Sequence, residues 1–95
     1  MSQYQAEMER LTAAREPVTG VVRDFAKNCG FIWPMRMDDI KRGLTVPRDR
    51  WGDVFFHRGD IAKDASREME AGVAVEFFVI RSDRGGWKAV EVRPI

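Results

Sequence analysis

From Val18 onward the chain divides into five short segments rich in β-branched and aromatic residues, and this division limits the fold more than any other feature of the sequence. Segments of this length, separated by glycine and polar residues, are typical of β-strands. Five strands in under eighty residues favour a small closed all-β barrel, because closure removes exposed sheet edges. The strands are predicted at residues 18–25, 30–33, 53–57, 73–80 and 87–93.

The first sixteen residues follow a helical pattern instead. Tyr4, Met8 and Leu11 recur at i, i+4 and i+7, and Pro17 ends the pattern. A helix this short is marginal in water by itself, so it either packs on the domain or frays, and we expect it to fray. Residues 1–16 are therefore predicted to be a helical or frayed extension. Residues 17–95 are predicted to form one antiparallel barrel of the oligonucleotide-binding type.

Three connections between the predicted strands differ in character. Residues 82–86 end in two glycines and predict a hairpin turn. In residues 59–72, apolar side chains recur every fourth position, which predicts a short helical turn with Met69 closing one end of the barrel. Residues 34–52 are longer than the roughly 12 to 15 residues that loops in compact domains usually span. This insertion mixes five basic residues with three acidic ones and several apolar ones, and we expect a partly ordered flap.

The composition argues against catalysis and against metal binding. A single cysteine, Cys29, excludes an internal disulfide and a multi-cysteine zinc site, and indicates a reducing compartment. Cys29 and the single histidine, His57, could form a nucleophile and base, but such a pair is common by chance. No apolar run is long enough to span a membrane and no signal peptide is recognisable, so a cytoplasmic location is expected. We expect no cofactor and no metal.

Side chains alternate between the two faces of a strand, so the predicted faces can be assigned from the sequence. The assignment that buries the most aliphatic surface leaves Phe31, Trp33, Phe55 and His57 together on the outside. Rings on an exposed sheet, flanked by Arg23, Lys27 and the basic flap, suit single-stranded nucleic acid, because bases stack on rings while cations contact phosphates. The predicted core consists of Val22, Ile32, Val54, Phe56, Val75, Phe77, Val79, Val90 and Val92.

Other interpretations of these residues remain open. A slip of one residue would exchange the two faces and bury Phe31 and Phe55. Trp33 could be covered by the flap rather than offered to a ligand. His57 is interpreted as a stacking residue rather than a metal ligand, because no second ligand lies at a useful spacing. Cys29 is interpreted as a small packing residue.

Four blocks of sequence, taken in order, resemble the cold-shock domain. They are Gly-Val-Val-Arg at 20–23, Asn-Cys-Gly-Phe-Ile at 28–32, Asp-Val-Phe-Phe-His at 53–57, and Ala-Gly at 71–72 followed by Val-Glu-Phe at 75–77. The spacing of the first two blocks and the form of the third are most similar to the cold-shock repeats of Unr-type proteins. The resemblance implies a five-stranded barrel that binds single-stranded RNA, in some cases single-stranded DNA, and it assigns base stacking to Phe31, Phe55 and His57, with Lys27 near the backbone.

The chain departs from the family pattern at three positions. Asp24 replaces a stacking tryptophan, Cys29 replaces the first phenylalanine of the second block, and Arg58 replaces the phenylalanine after the histidine. Fewer rings imply weaker or more selective binding. The candidate nucleic-acid-binding residues are Phe31, Phe55, His57, Trp33, Lys27, Arg23, Phe25 and Arg58.

Two functions of different classes follow. The first is a non-enzymatic single-stranded RNA-binding domain, with single-stranded DNA as a further ligand, that acts in RNA chaperoning or post-transcriptional regulation. The alternative is a protein-interaction module on the same scaffold, which docks a protein partner through the 34–52 insertion or the N-terminal helix.

Overall fold

The computed structural model describes residues 3–44, 53–65, 68–83 and 85–95. These residues form a closed five-stranded barrel in the order β1-β2-β3-β5-β4. The strands are β1 (Val18–Ala26), β2 (Cys29–Pro34), β3 (Val54–His57), β4 (Ala74–Arg81) and β5 (Trp87–Pro94). The described helices are α1 (Gln3–Ala14) and α2 (Met37–Lys41), and a 3-10 turn spans Arg58–Asp60. The predicted all-β barrel is confirmed, and every predicted strand lies within one residue of its observed bounds.

Four of the five strand contacts are antiparallel. The fifth, between β3 and β5, is parallel and pairs Phe55 with Lys88. A closed ring with an odd number of strands cannot alternate direction throughout, so at least one parallel contact is required. This contact brings Lys88 beside Phe55, although the two residues are far apart in the sequence.

The barrel interior is apolar and contains eight of the nine residues predicted for the core. Val90 is the exception, because it is only half-buried. Glu91 has a left-handed backbone with φ of 52°, and the pairing of β4 with β5 shifts between Glu76 and Phe78. This bulge reverses the alternation along β5. Trp87 and Ala89 therefore point inward before the bulge and Val92 after it.

A second bulge lies in β1, where the pairing with β2 shifts between Val22 and Asp24. Arg23 is the extra residue. The bulge brings β1 so close to β2 that a Cβ atom on Gly30 would collide with the backbone carbonyl of Asp24. The two strands are joined by a two-residue turn at Lys27 and Asn28, which have φ of 54° and 73°. Positive φ at both positions is typical of the hairpin turn that matches the twist of the strands.

Helix α1 packs on the barrel, so the prediction that it frays is wrong. Met8 is 1% exposed and belongs to the core cluster, and Leu11 packs against that cluster. Arg81 of β4 donates a hydrogen bond to Glu9 of α1 at 2.9 Å. A helix of this length is marginal in isolation, and burial of Met8 supplies the stabilisation that the isolated segment lacks.

The insertion after β2 begins with ordered structure. Thr19 donates a hydrogen bond to the carbonyl of Met35 at 2.7 Å, and the Met35 amide donates to the Thr19 carbonyl at 3.0 Å. Helix α2 contacts β1, and Val21 on the outer side of β1 is only 3% exposed. The insertion therefore covers part of the outer surface of the barrel. Its remainder, residues 45–52 with Arg48, Arg50 and Trp51, lies outside the described residues.

The connection between β3 and β4 is described at residues 58–65 and 68–73. Its described residues form the 3-10 turn and a turn in which Ala65 donates to the carbonyl of Ala62 at 3.0 Å. Met69 is buried in the core cluster, as predicted. Gly85 and Gly86 both have φ of 80° in the turn between β4 and β5. In the described ranges, no helix is long and apolar enough to span a membrane.

Candidate nucleic-acid interface

Two phenylalanine rings lie side by side on the outer surface of the barrel. Phe31 of β2 and Phe55 of β3 are directly paired across the strands. Their ring centroids are 5.7 Å apart and the rings meet edge to face at 68°. Both side chains are half-buried, while their neighbours Ile32 and Val54 fill the core. The predicted faces of β2 and β3 are therefore confirmed, and no slip of one residue has occurred.

His57 extends this surface by one strand position. It pairs with Cys29 on β2 and is exposed. The amide of Gly59 donates to His57 Nδ1 at 3.1 Å. Since Nδ1 accepts this bond, the neutral ring carries its proton on Nε2. We call Phe31, Phe55 and His57 the aromatic platform.

Phe25 and Trp33 do not join the aromatic platform. Phe25 stacks on Phe56 with centroids 5.3 Å apart and an interplanar angle of 16°, and it packs against the core. It therefore belongs to the interior side of β1. Trp33 shares the outer side of β2 with Phe31 but pairs with Val21, at the end of the sheet where the insertion covers β1. Trp33 is half-buried there.

Arg23 lies over the platform rather than beside it. Its guanidinium carbon is 4.5 Å from the centroid of the Phe31 ring. Arg23 Nε donates to Asp24 Oδ2 at 2.9 Å, and Nη1 forms an ion pair with Asp53. Two carboxylates therefore neutralise the positive charge of this guanidinium. The sequence analysis did not predict that Asp24 and Asp53 bind Arg23. Asp24 stands where the cold-shock pattern has a tryptophan, and this departure could have drawn attention to it.

Two other cations lie at the histidine end of the platform. Lys27 is in the exposed turn between β1 and β2. Arg58 is exposed and donates from its amide to the carbonyl of Asn28 at 2.7 Å and from Nη1 to Asn28 Oδ1 at 3.5 Å. Among the described residues, no carboxylate forms an ion pair with Lys27 or Arg58. Their charges are therefore available to an anionic ligand.

Lys88 adds a cation that the sequence did not indicate. It is the partner of Phe55 on β5, and its Nζ atom lies 3.3 Å from Asp60 Oδ1. Asp60 Oδ2 also accepts a hydrogen bond from the His57 amide at 2.9 Å. The 3-10 turn therefore holds both His57 and Lys88 beside the phenylalanines. Only the barrel closure brings Lys88 to this surface.

Cys29 and His57, the pair considered above as nucleophile and base, each bond to the backbone. Although Cys29 and His57 are cross-strand partners, Cys29 Sγ donates to the carbonyl of Ala26 at 3.7 Å and His57 Nδ1 is bonded to Gly59. No hydrogen bond joins the thiol to the imidazole among the described residues. In residues 3–44, 53–65, 68–83 and 85–95, no group of histidine, cysteine and acidic residues is placed to hold a metal ion.

A sequence profile of the 'Cold-shock' DNA-binding domain family matches residues 40–95, which is more than half of the chain. The chain belongs to this family. Cold-shock domains bind nucleic acid and are not a class of enzymes, which agrees with the outward-facing rings and the cations described above. The matched range contains the third and fourth of the sequence blocks quoted above, whereas the first two blocks precede it.

A solved structure shows the same fold. The structure described as drosophila Unr CSD456 aligns with 84% of this chain at a TM-score of 0.58 and 22% sequence identity. The aligned part is 27% of that chain, so this cold-shock domain spans about a quarter of its structural neighbour. The expected similarity to Unr-type repeats is confirmed at the level of the fold. The comparison with curated protein sequences gives no match.

Proposed function

We propose that this cold-shock domain binds single-stranded RNA, and single-stranded DNA through the same residues, without catalysing a reaction. The observation that carries the proposal is the pair of adjacent outward-facing rings, Phe31 and Phe55, with exposed His57 beside them. Unpaired bases expose flat faces that stack on such rings, and stacking is worth about 1 to 3 kcal/mol per base.

Phosphate contacts are assigned to Lys27 and Arg58 at one end of the platform. Neither cation forms an ion pair with a carboxylate within the described part of the chain. Arg58 follows His57 directly, and Lys27 lies in the turn two residues before Cys29, the cross-strand partner of His57. Lys88 is assigned a weaker role because Asp60 already shares its charge. The phosphate backbone of the nucleic acid would therefore pass along the histidine end of the platform, and its bases would lie over the phenylalanines.

The number of rings sets the expected affinity. Two or three stacked bases at about 1 to 3 kcal/mol each, together with a few phosphate contacts, correspond to dissociation constants in the micromolar range. The family's tryptophan in β1 is Asp24 here, and the phenylalanines at the Cys29 and Arg58 positions are absent. Binding weaker than that of a domain with a full set of rings is therefore expected.

The test is a titration of fluorescently labelled 12-nucleotide oligo-uridine and oligo-adenosine, with oligo-deoxythymidine for the comparison with DNA. The Phe31→Ala/Phe55→Ala double variant should bind at least about tenfold more weakly, because two bases can no longer stack. Phe78→Ala is the matched control, since Phe78 is a half-buried phenylalanine on the outer surface of β4. Thermal unfolding would establish that all variants are folded. Undiminished affinity in the double variant would reject the platform.

The cellular role proposed for this activity is RNA chaperoning or post-transcriptional regulation in the cytoplasm. A domain that contacts bases by stacking and the backbone by charge tolerates many sequences, which suits a chaperone of unpaired RNA. Crosslinking of the tagged protein in cells, followed by identification of the bound nucleic acid and by imaging, tests the ligand and the location together. Recovery of duplex DNA alone, or a location outside the cytoplasm, would contradict this role.

A protein-contact function is the second candidate, and a specific surface favours it. Ile80, 40% exposed, lines a shallow groove with Phe78 and Val90 beside the C-terminal end of α1. The apolar side of α1 does not favour this function, because Met8 and Leu11 already pack on the barrel. Absence of oligonucleotide binding at tens of micromolar protein in low salt would favour this candidate over the first.

A further inference from the structure

The residue that replaces the family's tryptophan in β1 has a structural consequence of its own. Asp24 is paired directly with Phe31 across β1 and β2, so the two side chains lie on the same outer face. Asp24 accepts a hydrogen bond from Arg23 Nε at 2.9 Å, and the Arg23 guanidinium lies 4.5 Å from the centre of the Phe31 ring. A planar group therefore covers the ring beside the position where the indole is missing.

We propose that Arg23 is a base-stacking residue: Asp24 and Asp53 hold its guanidinium over Phe31, and the base assigned to Phe31 stacks on this guanidinium, which takes the place of the missing tryptophan as the outer layer of the platform. This inference rests on the proposed binding of single-stranded nucleic acid. It differs from a phosphate contact, which is the role that a basic residue on this strand would ordinarily be given.

The orientation of the guanidinium is restrained on three sides. Asp24 binds the Nε edge, Asp53 binds Nη1, and the guanidinium carbon lies over the Phe31 ring. The bulge in β1 places Arg23 so that it reaches both carboxylates. A side chain with several rotatable bonds is thereby pre-organised, which lowers the entropy lost when a ligand binds.

Charge and exposure both favour stacking over phosphate binding. The two carboxylates more than offset the single positive charge of Arg23, so this end of the platform does not attract phosphate. The Arg23 side chain is nevertheless 34% exposed, which leaves part of it accessible to a ligand. Guanidinium groups are weakly hydrated and stack well on aromatic planes, including those of bases.

Asp24 is then a positioning residue, and the proposal predicts the sign of its effect. Simple electrostatics says that removing a carboxylate from a nucleic-acid-binding surface raises affinity. If the guanidinium stacks on bases, removing Asp24 lowers affinity instead, because the guanidinium is then restrained by only one carboxylate. The opposite signs make this residue the most informative one to change.

The test measures binding of labelled 12-nucleotide oligo-uridine and oligo-adenosine by fluorescence anisotropy over a series of salt concentrations. The variants are Arg23→Ala, Arg23→Lys and Asp24→Ala. Asp64→Ala is the matched control, because Asp64 is also an exposed carboxylate paired with an arginine, Arg93, at 3.4 Å. Thermal unfolding establishes that each variant is folded.

We expect Arg23→Ala and Arg23→Lys to weaken binding by about fivefold or more, because lysine keeps the charge but lacks the plane. The dependence of affinity on salt should be the same as in the wild type. Asp24→Ala should weaken binding about threefold, whereas Asp64→Ala should leave it unchanged or slightly stronger.

Four results would overturn the inference. They are wild-type affinity in Arg23→Lys, wild-type or raised affinity in Arg23→Ala, a shallower salt dependence in either variant, and raised affinity in Asp24→Ala. Loss of binding in the Phe31→Ala/Phe55→Ala variant together with any of these results would reject only the role of Arg23. A wild-type domain that binds no oligonucleotide would instead reject the proposed function itself.

Discussion

Truncating Met8 to alanine measures how much α1 contributes to the stability of the barrel. Met8 is 1% exposed and lies in the core cluster. Replacing a buried methionine by alanine removes its transfer free energy and leaves a cavity, so we expect the free energy of unfolding to fall by about 2 to 4 kcal/mol. Alanine is the better helix former, so an effect on the helix alone would have the opposite sign.

A loss of this size is large for a chain of 95 residues, whose total stability is expected to be of the order of 5 to 15 kcal/mol. The melting temperature should fall by roughly 10 to 30 °C. Urea denaturation followed by tryptophan fluorescence measures the free energy, and thermal unfolding followed by circular dichroism measures the melting temperature. The matched control is Arg10→Ala, which truncates an exposed side chain on the same helix and should change stability by less than about 1 kcal/mol.

If Met8→Ala and Arg10→Ala both unfolded within about 0.5 kcal/mol of the wild type, burial of Met8 would contribute nothing and the helix would be frayed in solution. A large loss in both variants would indicate that the helix is stabilised by its surface ion pairs instead. Only a loss confined to Met8→Ala agrees with the packing described above.

Three further predictions follow from particular interactions. Gly30→Ala should destabilise the domain by more than about 2 kcal/mol, because its Cβ has no room against the backbone of β1; a melting temperature equal to that of the wild type would contradict the β1 bulge. Asp60→Asn should cost about 1 kcal/mol of unfolding free energy, since it weakens the cap of the 3-10 turn and the pair with Lys88. Unchanged stability would show that the turn is held by other interactions. Removing both Lys27 and Arg58 should make the slope of log affinity against log salt shallower by roughly 1.4, or about 0.7 for each phosphate that is no longer bound, whereas an unchanged slope would place the phosphates elsewhere.

The strands, their faces and the position of the platform could be predicted because each depends on a local repeat. Alternation places Phe31 and Ile32 on opposite faces of β2, and Phe55 and Val54 on opposite faces of β3, and the choice that buries the aliphatic residues turns both phenylalanines outward. The prediction that Val90 lies in the core is wrong because it assumes that this alternation continues unbroken along β5. A bulge adds one residue to the strand, and a period of two cannot continue through it.

The amino-acid sequence alone therefore determined which segments are strands, that Phe31, Phe55 and His57 share the outer face, and to which family the pattern is similar, because these properties depend on neighbours within a few residues. The tertiary structure decided which distant residues meet. Arg23 reaches Asp53, Lys88 lies beside Phe55, and Met8 enters the core only once the barrel has closed. Such interactions join residues separated by thirty or more positions, and their partners follow from the order and register of the strands, which no local repeat encodes.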